Sequence, residues 1–136
     1  MYSNIKNAIK AILTAITTIK YVYGYEKGSL DGYPSAVVTL EGMECVYETN
    51  NEDERKYIFK VKILQEMVDD GVGAETAETT IEALIDTVLG KFEDDFTLGG
   101  LCHKVNINGV AGYVDRGINM RVLEFTLNCY ALYTLT

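Results

Sequence analysis

An α+β fold, with two helices packed on antiparallel sheet, is what this sequence predicts, and three observations carry it. Two segments repeat apolar residues at helical spacing, four alternate them at strand spacing, and the order is α-β-β-α-β-β with no internal repeat or linker. The 136 residues suit one domain, residues 1–136, and a hydrophobic content of 48% supplies its core.

The first helix is read from Ile5, Ile9, Ile12, Leu13, Ile16 and Ile19, one stripe at helical spacing. Ser3 or Asn4 is its cap, since either side chain can accept an amide hydrogen of the first turn. Asn7, Lys10, Thr14 and Thr17 occupy the other face. With few lysines and many threonines, that face suits a core-packed helix rather than a membrane-surface one. Residues 21–34 form a loop rich in Gly and Tyr, and Pro34, the only proline, marks where a strand begins.

Residues 35–40 alternate as a strand with Ala36, Val38 and Leu40 on one face. Gly42 bulges it and moves the alternation to Met43, Cys45 and Tyr47. Residues 48–54 are a polar turn. Tyr57, Phe59, Val61 and Ile63 then alternate with Ile58, Lys60, Lys62 and Leu64, so the two strands make a long antiparallel hairpin. Residues 69–73 break the pattern before a second helix over about 75–92. Its stripe is Ala77, Ile81, Leu84, Ile85, Val88, Leu89 and Phe92, and Glu75, Glu78 and Glu82 suit the positive end of the helix dipole. After Gly99-Gly100, a strand carries Leu101, His103, Val105 and Ile107 on its apolar face, and Asn108-Gly109 turns or bulges it. The last strand, about 120–135, sets Leu123, Phe125, Leu127, Cys129, Ala131 and Tyr133 on one face.

Its second face, Val122, Glu124, Thr126, Asn128, Tyr130 and Leu132, is half apolar towards the end. One helix layer covers one face of a sheet, so this face needs a second sheet or a neighbouring subunit. A strand of some 15 residues also spans roughly 50 Å. A compact chain of this size is about 37 Å across. The strands therefore bend or project, and projecting edges invite pairing with another chain. Tyr57, Phe59, Val122, Tyr130 and Leu132 are the expected subunit contacts.

Composition narrows the function. Lys and Arg number 12 against 20 Asp and Glu, a net charge of −8, which disfavours a phosphate-gripping nucleic-acid site. Cys45, Cys102 and Cys129 are odd in number and widely spaced, which argues against a disulfide framework or zinc site and for a reducing compartment. The uncharged stretch 11–19 is too short to cross a bilayer, and no secretion signal precedes it; a soluble intracellular protein without membrane contact is expected. No catalytic or metal constellation stands out, and no cofactor is expected. His103, the only histidine, reads as structural, and Cys102 beside it points to the opposite strand face. Asp69-Asp70 and Asp94-Asp95 read as solvated turns, no calcium loop is present, and Gly71-Val72-Gly73 lacks the lysine and length of a phosphate loop. Residues 52–56 read as a solvated hairpin tip.

Nearly the whole chain resembles the tail terminator, or tail completion, proteins of long-tailed bacteriophages. The resemblance lies in the length, the helix–hairpin–helix–hairpin order and three stretches together. Tyr33-Pro34-Ser35-Ala36-Val37-Val38 is similar to the family's proline-led strand. Glu52-Asp53-Glu54-Arg55-Lys56-Tyr57-Ile58-Phe59-Lys60-Val61 is similar to its charged tip and aromatic strand. Arg116-Gly117-Ile118-Asn119-Met120-Arg121-Val122-Leu123-Glu124-Phe125 is similar to its turn into the last strand. The resemblance implies a non-enzymatic ring, typically hexameric, on the head-proximal end of the tail tube, within the virion neck and assembled in the host cytoplasm. Its partners would be further copies, the tail tube protein and a head-side connector or stopper. DNA would pass through unheld, and an acidic wall, with Glu52, Asp53, Glu54, Asp69 and Asp70 as candidates, would repel it. Six copies would carry 6 × −8 = −48, so assembly should respond to salt or divalent cations. Other readings are another neck component, a peptide- or ligand-binding module using the tyrosines of residues 21–33, or an enzyme built on His103.

Overall fold

The computed structural model describes residues 2–26, 30–47, 52–67 and 72–134. The elements are α1 (Tyr2–Thr14), β1 (Tyr21–Tyr23), β2 (Ser35–Tyr47), β3 (Glu52–Glu66), α2 (Val72–Asp94), β4 (Lys104–Asp115) and β5 (Met120–Thr134). The fold is α+β as expected, with a seventh element. The tripeptide at 21–23, read above as loop, is a strand parallel to the start of β2, with Tyr21 opposite Ser35 and Tyr23 opposite Val37. The order is therefore α-β-β-β-α-β-β, and the five strands form one mixed sheet, β1-β2-β3-β5-β4.

α1 ends before its apolar stripe does. After Ala15 the bonds tighten to three-residue steps, Ile16 N–H to Leu13 carbonyl and Ile19 N–H to Ile16 carbonyl, which keep Ile16 and Ile19 buried without more helix. The return from β1 to β2 follows. Lys20 N–H donates to the Pro34 carbonyl, the Tyr23 hydroxyl meets Asp31 at 2.9 Å, and the Tyr33–Pro34 bond is cis. The β2–β3 hairpin runs in register except at Leu40/Gly42, the expected bulge; β3 and β5 pair over all 15 residues of each. β4 pairs with β5 with its own shift between Asn108 and Ala111, where Gly109 has a φ of 61°. α2 exceeds the expected 75–92 by about a turn, and Asp95 stops it by accepting the Gly99 N–H at 3.0 Å.

Both helices lie on the same sheet face. α1 packs on β1 and β2, and α2 packs on β3, β5 and β4. Between helices and sheet lies the main core. Ile5, Ile9 and Leu13 from α1 meet Ile81, Leu84, Val88 and Phe92 from α2 over Phe59, Val61, Phe125 and Leu127. Phe92 and Phe125 meet edge to face at 6.2 Å. Arg121, on this same face, ties β5 to Glu78 of α2 through a forked pair, its Nη2 3.3 Å from Oε1. That guanidinium holds Glu78 below the usual carboxylate range.

Candidate functional site

The second sheet face is where the chain is unfinished. Among the described residues no second sheet covers it. A smaller cluster closes only one end, where Tyr23, Leu30 and Tyr33 fold over Val37, Leu64, Met120 and Val122. The rest is a ladder of polar side chains. Three lysines of β3 stand in line, because alternation sends every second residue to one face. Lys56 is 3.7 Å from Glu44, Lys60 is 3.4 Å from Glu41 and 3.1 Å from Glu124, and Lys62 is 2.7 Å from Glu26. The bond and charge of Glu124, with Glu41, push the Lys60 ammonium up. Burial opposes ionisation of Glu124, but bonds from Tyr113 and Lys60 outweigh it and hold that carboxyl down. Tyr113 donates to Glu124 at 2.8 Å, and burial, followed by that bond, pushes its phenol up to about 12. At the other end Tyr130 lies between Lys104 and Lys56, whose ammonium groups are 4.9 and 5.9 Å from its ring centre.

The expected contact residues divide. Tyr130 and Leu132 lie on this open face, and Leu132 is 47% exposed. Tyr57, Phe59 and Val122 are corrected: all three are buried within the chain itself. Tyr57 and Phe59 face the helices, where the Tyr2 ring stacks on Phe59 at 5.6 Å. Val122 lies beneath the chain's own 30–33 segment.

The acidic tip is also revised. Residues 52–54 belong to β3 rather than to a turn, and strand alternation splits the run. Asp53 is buried on the helix side, 3.5 Å from Arg55 Nε, whereas Glu54 lies on the open face. Asp69 and Asp70 lie outside the described residues.

His103 is corrected as well. β4 begins at Lys104, so the alternation does not extend back through the bend at 103. Cys102 turns inward and His103 outward, its side chain 45% exposed and its Nε2 3.5 Å from Glu54 Oε1. Cys102 is a free thiol facing the buried free thiol of Cys129, and the S–H that Cys129 donates to Cys102, with burial, pushes Cys129 up. The imidazole thus faces a carboxylate while the neighbouring thiol is in the core, so the two do not form a nucleophile–base pair. Among the described residues no three His, Cys, Asp or Glu side chains converge as a metal site, and no helix is long and apolar enough to cross a membrane.

The two borders of the sheet complete the surface. β1 pairs only with residues 35–37, so from Val38 onward β2 has no outer strand among the described residues. Leu40 and Met43 are 44% and 49% exposed there. β4 is the opposite border along its whole length. A groove of about 610 Å³ follows it, lined by Phe92 and Glu93 of α2, by Val105, Ile107 and asparagines of β4 and β5, and by Lys56 and Tyr130. Sequence reasoning expected sticky edges and a sticky final strand but not which strands form the borders; the three-residue length of β1 is what bares one of them.

No family profile matches this chain, and no curated protein does. Among solved structures it is similar in fold to a chain from the virion of a native gene transfer agent (GTA) particle. The likeness has a TM-score of 0.51 at 10% identity and spans 94% of each chain.

Proposed function

We propose that this chain is a non-enzymatic structural subunit of a phage-like virion, and that it builds a ring at the head-proximal end of the tail tube. There it ends tube polymerisation and presents the surface that joins a head-side connector or stopper. The whole of residues 1–136 serves as one tail-terminator-like unit, assembled in the host cytoplasm and kept in the neck. The carrying observation is the sheet that is finished on one side only. Helices and core occupy one face, while among the described residues most of the other face, the β4 border and the β2 border beyond Val37 carry no cover. The similarity in fold to a chain of a gene transfer agent virion supports a particle subunit over a free-standing module. The ring, its hexameric number and its acidic lining come from the family resemblance.

Negative-stain images of the purified chain, alone and mixed with tail tubes, test this. Rings with a central hole, or caps on one tube end that halt elongation, are expected. A monomer that leaves tube length and tube ends unchanged overturns the reading. Caps found on the head side of a completed terminator would instead identify a connector or stopper.

A further inference from the structure

We propose that neighbouring copies meet head to tail, with the basic α1–β1 flank of one seated against the acidic α2–β4 flank of the next. The proposal rests on the ring reading above and specifies its subunit contact.

Charge is divided between the two helices. Residues 2–25 contain Lys6, Lys10 and Lys20 and no carboxylate, a net +3. Residues 72–95 contain seven carboxylates and Lys91, so 1 − 7 = −6. Packing places the two helices towards opposite borders of one sheet face. The lysines of α1 lean outwards. The Lys6 ammonium donates to the Gly24 carbonyl just beyond β1, and the Lys10 stem also reaches Gly24. At the same border Tyr21 and Tyr25 are 45% and 59% exposed, with Tyr23 between them at ring distances of 6.3 and 6.1 Å; Tyr23 packs on the sheet face away from the helices and bonds Asp31.

The opposite flank is complementary in charge. Glu82, Asp86, Glu93 and Asp94 are exposed on α2, whereas Glu78 is taken by Arg121. Glu93 and Phe92 form the wall of the groove along β4. Phe92, Val105 and Ile107 give that groove an apolar strip among polar side chains, Glu93 and Lys56 included, and a phenol ring buries on such a strip and leaves its hydroxyl at the polar margin. A two-fold dimer through either flank would set like charge against like. Joining unlike flanks is the heterologous contact that generates rings.

Charge reversal tests the contact on the full chain. One variant carries Lys10→Glu and Lys20→Glu, which takes its flank from +3 to 3 − 4 = −1; the other carries Glu82→Lys, Asp86→Lys, Glu93→Lys and Asp94→Lys, which takes its flank from −6 to −6 + 8 = +2. Each alone should assemble about tenfold more weakly than the unaltered chain by sedimentation velocity. Mixing the two should restore rings, because every contact in an alternating ring is again between opposite charges. Should Lys10→Glu lower the melting temperature, Lys20→Glu with Tyr25→Ala probes the same flank. Reversed variants that form rings as well as the unaltered chain, at any salt, overturn the contact and leave the ring reading standing. An unaltered chain that neither forms rings nor caps tubes overturns both.

Discussion

Leu127 and Leu132 lie five residues apart on β5 and offer a matched test of the one-sided sheet. Leu127 faces the helices, is 0% exposed and pairs with Phe59 and Ile107. Leu132 faces the open side, is 47% exposed and pairs with Glu54. Leu→Ala deletes three carbon groups at either place. At about 0.8 kcal/mol per buried group the transfer loss is about 2.4 kcal/mol when burial is complete. The void under two helices adds to this, so Leu127→Ala should cost about 3–4 kcal/mol. At Leu132 about half the transfer loss applies and no void is left, so about 1 kcal/mol is expected. Urea unfolding of dilute monomer, followed by far-ultraviolet circular dichroism, measures both; the chain has no Trp to report by fluorescence. In melting temperature the pair should differ by roughly 8–12 °C for a chain of this size. Equal losses in the monomer would mean that Leu132 is covered by its own chain, and the argument for an unfinished face would fail. Leu132→Ala should instead show its larger effect in assembly.

Three other outcomes follow from the same structure. Glu78→Gln should cost less than about 1 kcal/mol, since Glu78 is well exposed. Its folded acidity is raised by Arg121, so the paired form stabilises above the ordinary carboxylate pKa, near 4.3, and the benefit fades as pH falls through the lower folded value. Unfolding curves of variant and parent should therefore differ at pH 7 and converge as the pH falls below the lowered folded value. Gly109→Ala should destabilise by about 1 kcal/mol through its positive φ alone, because a Cβ there meets nothing within 4 Å; Gly109→Asn should cost less, as a denaturant series will show. With an aromatic disulfide reagent, Cys45 should react fast in the native chain and Cys102 and Cys129 only on unfolding, because Cys45 alone is exposed.

The elements with long, regular periods were legible from residue order. The α2 stripe, the β3 alternation and the bulges at Gly42 and Gly109 all sit where spacing placed them. What escaped depends on contacts distant in sequence. Three residues of β1 are too few to show a period, and their parallel pairing with residues 35–37 is a contact distant in sequence. His103 was misplaced by continuing an alternation across a bend. Val122 reads as an exposed valine on a polar face until Tyr33 and Leu30 fold over it. The candidate surface was half legible. Tyr130 and Leu132 followed from alternation, whereas the bare borders follow from strand order, which no local pattern encodes.

Both outermost long strands carry an irregular step, β2 at Leu40/Gly42 and β4 at Asn108/Ala111. An ordinary extended peptide cannot zip along either one, because its hydrogen bonds fall out of phase beyond the step. Only a partner whose ladder skips at the matching place gains the full row. The two steps thus set a limit on open-ended pairing along either margin.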